Sequence, residues 1–158
     1  MRISRSIVWG GGVVAVVAAL FVLSRVLQER DPTLLAAGPV HWHPRVEIYV
    51  DGEKIAIPAG IGLAGRHEPI HTHTEDAAQG VVHLEFPRAI REDDVRLKQF
   101  FAVWDKDIMS AFGTLERMEV NGAPSGAFGE YVMRDGDLIR LYYTTAVQSE
   151  PSTAPTGD

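Results

Sequence analysis

The sequence predicts an α+β fold: an N-terminal transmembrane helix followed by a small domain of β-hairpins with one helix packed on a mixed sheet. Three observations predict it. Two stretches alternate apolar and polar residues around Asp-Gly and Asn-Gly turns, one stretch between them has helical period, and one long uncharged apolar run sits near the N-terminus.

The apolar run comes first in the chain. Met1-Arg2-Ile3-Ser4-Arg5 precedes an uncharged stretch from Ser6 to Ser24, ended by Arg25. Its length suits one bilayer crossing, and it is too apolar for a surface helix. No small-x-small cleavage pattern follows it, so an uncleaved anchor is expected rather than a removed signal peptide. Residues 1–5 are then a cytoplasmic N-terminus, 6–24 the transmembrane anchor, 25–39 a linker, 40–145 an extracytoplasmic α+β domain and 146–158 a disordered tail, rich in Ser, Thr, Pro and Gly from Gln148 onward. The domain holds roughly 105 residues, enough for a single core.

Within the domain, Val46-Glu47-Ile48-Tyr49-Val50 alternates strictly, Asp51-Gly52 signals a hairpin turn, and Ile55-Ala56-Ile57 resumes the pattern before Pro58. Gly80 to Phe86 alternates Val82, Leu84 and Phe86 against Val81, His83 and Glu85, which reads as a strand with His83 and Glu85 on its polar face. After Pro87 the period changes. Leu97, Phe100, Phe101 and Trp104 fall at i, i+3, i+4 and i+7, an amphipathic helix whose apolar side is core, with Asp93 and Asp94 at its positive end. Leu115 to Val120 returns to strand, Asn121-Gly122 turns, Tyr131 to Met133 is extended, Asp135-Gly136 turns, and Leu138 to Tyr143 closes the domain.

Composition excludes several functions. A net charge of −6 and a pI near 5.5 argue against a nucleic-acid binder, which would carry a basic patch. Cysteine is absent, which excludes disulfides, thiolate zinc sites, haem attachment and blue-copper centres of the His2Cys kind. The chain has no Gly-x-Ser-x-Gly elbow, phosphate loop or dinucleotide fingerprint.

The histidines carry the chemistry. All six lie between residues 41 and 83, as His41-Trp42-His43, His67, His71-Thr72-His73 and His83-Leu84-Glu85. Imidazole is a common ligand for zinc, copper and nickel, and His-x-His on a strand turns both rings to one side. A histidine on a solvent-facing strand needs no ligand, so the weight falls on the grouping rather than on any one residue. If Ile70–His73 and Val81–Glu85 pair as an antiparallel hairpin, one register sets His71 opposite His83 and His73 opposite Val81. The three imidazoles then share a face and could share one ion. A one-residue slip would break the arrangement. Glu85 has the right parity to ligate or to orient an imidazole, with Glu75 and Asp76 as alternatives in the loop. His41 and His43 could join this site, form a second one or do neither, and Trp42 between them could shield a site or pack on the sheet. His67 is the least suggestive of the six.

Trp42-His43-Pro44, Val46 to Gly52, Ile57-Pro58-Ala59-Gly60-Ile61-Gly62, Pro69-Ile70-His71-Thr72-His73, Gly80-Val81-Val82-His83-Leu84-Glu85 and Phe100 to Trp104 together resemble an uncharacterised family of membrane-anchored prokaryotic extracytoplasmic proteins. The likeness covers most of residues 41–143. Tyr131 to Ile139 also resembles the end of a β-grasp domain, where a Gly-Asp turn feeds the last strand. These resemblances imply a β-grasp-like fold and a shared histidine pattern, and supply no reaction.

The ligand types narrow the metal. Met109, Met118 and Met133 fall outside any His-x-Met pattern, so imidazole with carboxylate suits Cu(II) or Zn(II), and the Irving–Williams order places copper narrowly ahead. The expected function is metal binding, delivery or sensing at the outer face of the membrane. One alternative is an accessory subunit of a membrane protein complex without metal. Another is a small metal-dependent hydrolase with Glu85 as base, although a cupin-like motif needs its glutamate farther from His-x-His than Glu75.

Overall fold

Alternation at residues 46–50 builds the larger of two principal sheets in this computed structural model, which describes residues 16–24 and 32–145. β1 is Leu34–Ala36, β2 Val40–Trp42, β3 Arg45–Val50, β4 Glu53–Ile55, β5 Ile70–His71, β6 His83–Phe86, β7 Ile90–Arg91, β8 Thr114–Val120, β9 Ala123–Pro124 and β10 Leu138–Thr144, with helix α1 at Leu97–Val103. The fold is α+β with mixed sheets. The five-stranded sheet has the order β4-β3-β10-β8-β9, and its central pair, β3 and β10, is parallel while the other pairs are antiparallel.

Period two explains which side chains of β3 and β10 enter the core: Val46 and Ile48, and Ile139, Leu141 and Tyr143, are buried. On β8, Leu115 and Met118 are three apart and both buried, because the register with β10 shifts between them. From α1, Leu97, Phe100 and Phe101 have no exposed surface, so the helical stripe packs into the core as expected. Each such side chain contributes about 1.5–3 kcal/mol of burial. The acidic residues expected at the helix start instead occupy a separate 3-10 turn, Glu92–Val95, where Asp94 Oδ2 accepts from the backbone N–H of Arg91 at 2.8 Å. Arg96 Nε donates to Asp93 at 2.7 Å.

The smaller sheet, in the order β2-β6-β5, carries the histidines, with β6 in the middle. Its register is Val40↔Phe86, His41↔Glu85 and Trp42↔Leu84 on one side, and Ile70↔Leu84 and His71↔His83 on the other. Leu84, Phe86 and Ile70 face the core, Trp42 packs against it, and the odd-numbered residues of β6 face the other way. The expected pairing of His71 with His83 is present. His73 does not lie opposite Val81, because Thr72 is drawn off the ladder toward Pro58–Ile61: its N–H donates to the Ile61 carbonyl at 3.1 Å and its Oγ1 to the Pro58 carbonyl at 2.8 Å. Val81 bridges Arg45 instead.

Two glycines permit this close assembly. A Cβ on Gly80 would strike the Val46 carbonyl, and one on Gly62 would strike the Ile70 carbonyl and press on His71; both have φ near +80°, at +79° and +75°.

The segment expected to be linker contains structure. Leu34–Ala36 forms β1 and pairs with Ile90–Arg91, and the chain divides into compact units at Met1–Pro32 and Thr33–Asp158. Of the expected span, residues 16–24 are helical with Val16, Val17, Leu20, Phe21, Val22 and Leu23 exposed, while residues 6–15 lie outside the described residues. Among the described residues no helix is long and apolar enough to cross a membrane. The expected cytoplasmic N-terminus, residues 25–31 and the expected disordered tail at 146–158 also lie outside them.

Candidate metal centre

Antiparallel pairing on both sides of β6 gathers the histidines that the sequence scatters over 43 positions. His83 and Glu85 project from one face of β6, His71 lies beside His83 on β5, and His41 lies beside Glu85 on β2. His73 and His43 continue from the ends of β5 and β2. Their rings close onto His83, with centroids 4.6 Å away for His73 and 4.7 Å for His43.

His71 is the most constrained of them. Its side chain has no exposed surface, and its Nδ1–H donates to the Glu68 carbonyl at 2.9 Å, which a carbonyl partner makes unambiguous. In the neutral ring, Nε2 then carries the lone pair and acts as acceptor. It points at His73 Nε2, 3.1 Å away, at His67 Nε2, 3.3 Å away, and at Glu85 Oε1, 3.7 Å away. Burial chiefly pushes the His71 imidazole below its ordinary pKa of 6.5; the Glu68 carbonyl opposes this, His67 and His73 reinforce it, and Glu85 opposes it. The neutral, ligating form is therefore the favoured one at neutral pH.

His83 is prepared in a complementary way. Its Nε2–H donates to Asp76 Oδ2 at 2.8 Å, and its buried Nδ1 has no hydrogen-bond partner, with Glu85 Oε1 3.6 Å away. A carboxylate holding the far nitrogen of an imidazole is the arrangement that orients metal-ligating histidines. A buried acceptor without a partner is costly unless something fills the place.

His71, His73, His83 and Glu85 could hold a metal ion: one ligand atom from each lies within 4.8 Å of all the others. Ligands about 2.0–2.1 Å from a tetrahedral ion lie about 3.3 Å from one another. The separations of 3.1, 3.6 and 3.7 Å recorded here are close to that edge, so little movement would be needed. A second group, His41, His43 and His83, meets the same 4.8 Å criterion and shares His83 with the first. Of its two other members, His41 is exposed and His43 half-buried. His41 Nε2 lies 2.9 Å from Glu85 Oε1, and the backbone N–H of His43 donates to Asp135 Oδ1 at 2.8 Å.

The structure thus brings together all six residues expected at the site, His41, His43, His71, His73, His83 and Glu85. It adds three that sequence spacing did not single out. His67 turns back against His71, with ring centroids 4.4 Å apart. Glu68 contributes its main-chain carbonyl, a role no side-chain pattern could reveal. Asp135 reaches the site from the Asp-Gly turn before β10, 92 residues from His43. Of the two loop carboxylates weighed for His83, Asp76 is the one in contact. Trp42 packs on the core side of β2 opposite Leu84, away from the imidazoles.

No protein-family model matches this chain, and neither a curated protein nor a solved structure is significantly similar to it.

Proposed function

We propose that this chain is a membrane-anchored extracytoplasmic protein whose β-grasp-like domain binds a divalent transition metal, Cu(II) or Zn(II), for binding, delivery or sensing. The observation that carries the metal is the convergence of ligand atoms: the Nε2 of buried His71, the imidazole of His73, the unpartnered Nδ1 of His83 and the Glu85 carboxylate. Nitrogen and oxygen donors without thiolate suit these two ions. His71, His73, His83 and Glu85 are the primary ligands of this reading, and Asp76 and the Glu68 carbonyl orient two of the imidazoles.

The β-grasp assignment rests on the five-stranded order β4-β3-β10-β8-β9, in which the first and last long strands run parallel at the centre and one helix lies between the flanking hairpins in sequence. The anchor rests on the uncharged run from Ser6 to Ser24, helical over its described residues, and on its position ahead of the domain. Kinship with the membrane-anchored prokaryotic family belongs to the same reading and rests on the quoted histidine motifs.

The test is the metal content and affinity of the full-length chain, prepared without an affinity tag and titrated with Cu(II) and Zn(II). A fragment begun at Val40 would lose β1. One ion bound with a Kd below about 1 μM, abolished by His71→Ala, is the expected result. Weak, nonstoichiometric binding indifferent to His71→Ala would overturn it and leave an anchored interaction domain, for which co-purification of a membrane partner becomes the informative measurement.

A further inference from the structure

Resting on that metal-binding reading, we infer that the two histidine groups are successive stations for a single ion: it is captured at the outer pair, exposed His41 and half-buried His43, and handed through His83 and Glu85 to buried His71 and half-buried His73. Both groups contain His83. Because the His83 Nε2–H is committed to Asp76, this residue has one bare nitrogen, Nδ1, and one lone pair serves one ion at a time. Full occupancy of both groups is therefore excluded by chemistry. Sequential occupancy is not.

The gradient of exposure sets the direction. The side chains of His41 and His43 are 61% and 43% exposed, His83 is 11% exposed, and His71 is fully buried. An ion arriving from solvent meets the outer pair first. Glu85 spans the step: its Oε1 lies 2.9 Å from His41 Nε2, 3.6 Å from His83 Nδ1 and 3.7 Å from His71 Nε2. The rings follow one another without a gap, His41 to His43 at 4.6 Å, His43 to His83 at 4.7 Å and His83 to His73 at 4.6 Å. Transfer is ligand exchange alone. His43 and His41 leave the ion as His73 and His71 bind it, His83 and Glu85 remain attached, and no electron is transferred. The inner position is the resting one, because its imidazoles are oriented by Glu68 and Asp76, whereas His41 is held by the Glu85 carboxylate that it shares with the inner group.

A transfer station changes rates and leaves the final equilibrium alone. The experiment mixes the tag-free full-length chain with Cu(II) in a stopped-flow instrument, follows quenching of tryptophan fluorescence, and measures stoichiometry and Kd by competition titration. His41→Ala/His43→Ala and His41→Gln/His43→Gln are the variants, both at the outer pair. We expect one ion in every protein and a Kd within about threefold of the parent, with loading and chelator-driven release each slowed by at least about tenfold, since a removed path slows both directions. Two ions bound by the parent would overturn the inference in favour of a dinuclear centre. Unchanged rates would make the outer pair a bystander, and loss of affinity equal to the loss of rate would make it part of the final ligand set. Absence of any stoichiometric metal in the parent would instead sink the metal reading itself.

Discussion

The two principal sheets follow the same alternation, yet their outward faces solve opposite problems. On β3 and β10, Glu47 receives Lys54 Nζ at 2.8 Å, Arg140 Nε at 2.9 Å and the Tyr49 hydroxyl at 3.2 Å, while the Tyr49 and Tyr142 rings stack at 5.1 Å. Donors from Lys54 and Arg140 hold the Glu47 carboxyl down to about 2, against the opposing effect of burial. On β5 and β6 the neighbours are imidazoles and a carboxylate: His71 Nε2 lies beside His73 Nε2, and His83 Nδ1, without a hydrogen-bond partner, lies 3.6 Å from Glu85. The first face is complete within the protein. The second brings together groups that could hold a metal ion, and the difference lies in which residue types the alternation places outward, not in backbone geometry.

Substitutions can break this contrast at graded cost. The largest effect is expected at Gly62, where φ is +75° and a methyl group would meet the Ile70 carbonyl and the His71 Cβ. Gly62→Ala should lose about 2–3 kcal/mol in denaturant unfolding and weaken metal uptake as well, whereas Gly52→Ala, at φ +87° in an open turn, should lose about 1 kcal/mol and leave uptake intact. Equal losses at the two glycines would refute the tight seat assigned to His71.

Next in size is Asp76→Ala. Removing the carboxylate frees His83 Nε2 and its tautomer, so metal affinity should fall about 10–100-fold, while metal-free stability stays within about 1 kcal/mol of the parent. Competition titration beside chemical unfolding separates the two quantities, and a loss of stability with affinity intact would make Asp76 a structural residue only.

The smallest effect belongs to the complete face. Glu47→Gln should cost about 1 kcal/mol at pH 7. Because the folded-state value is lowered, the unfolded chain takes up the proton first as pH falls. The contribution is present above about 4.5 and is lost as pH drops toward about 2. Unfolding curves of parent and variant at pH 7 and pH 3 should therefore converge at the lower pH, with metal affinity at pH 7 unchanged. A gap of constant size would mean that the carboxylate charge is not the source.

Much of this was readable from spacing because alternation and turn chemistry are local. Val46 to Val50 with Asp51-Gly52, the α1 stripe from Leu97 to Phe101, and the return at Leu115 to Val120 with Asn121-Gly122 all act within a few residues. The same parity rule placed His83 and Glu85 on one face, and the hairpin register then placed His71 beside them. Legibility ended where position depends on distant backbone. Nothing near His73 announces that Thr72 leaves the ladder to bond Pro58, and Asp135 reaches His43 only because β10 lies beside β3. β1 was hidden because Leu34–Ala36 is too short to show a period, and its partner is 54 to 57 residues away in sequence at Ile90–Arg91.

The parallel pairing of β3 with β10 also has a consequence for how the chain is born. Val46 sits against Ile139, so the middle of the larger sheet stays unfilled until nearly all of the described domain has left the ribosome. Every histidine, by contrast, has been synthesised by residue 83. During translation the histidine-bearing half of the molecule exists for some fifty residues of elongation, a few seconds at about 5–20 residues per second, before the strand that locks its neighbour into place.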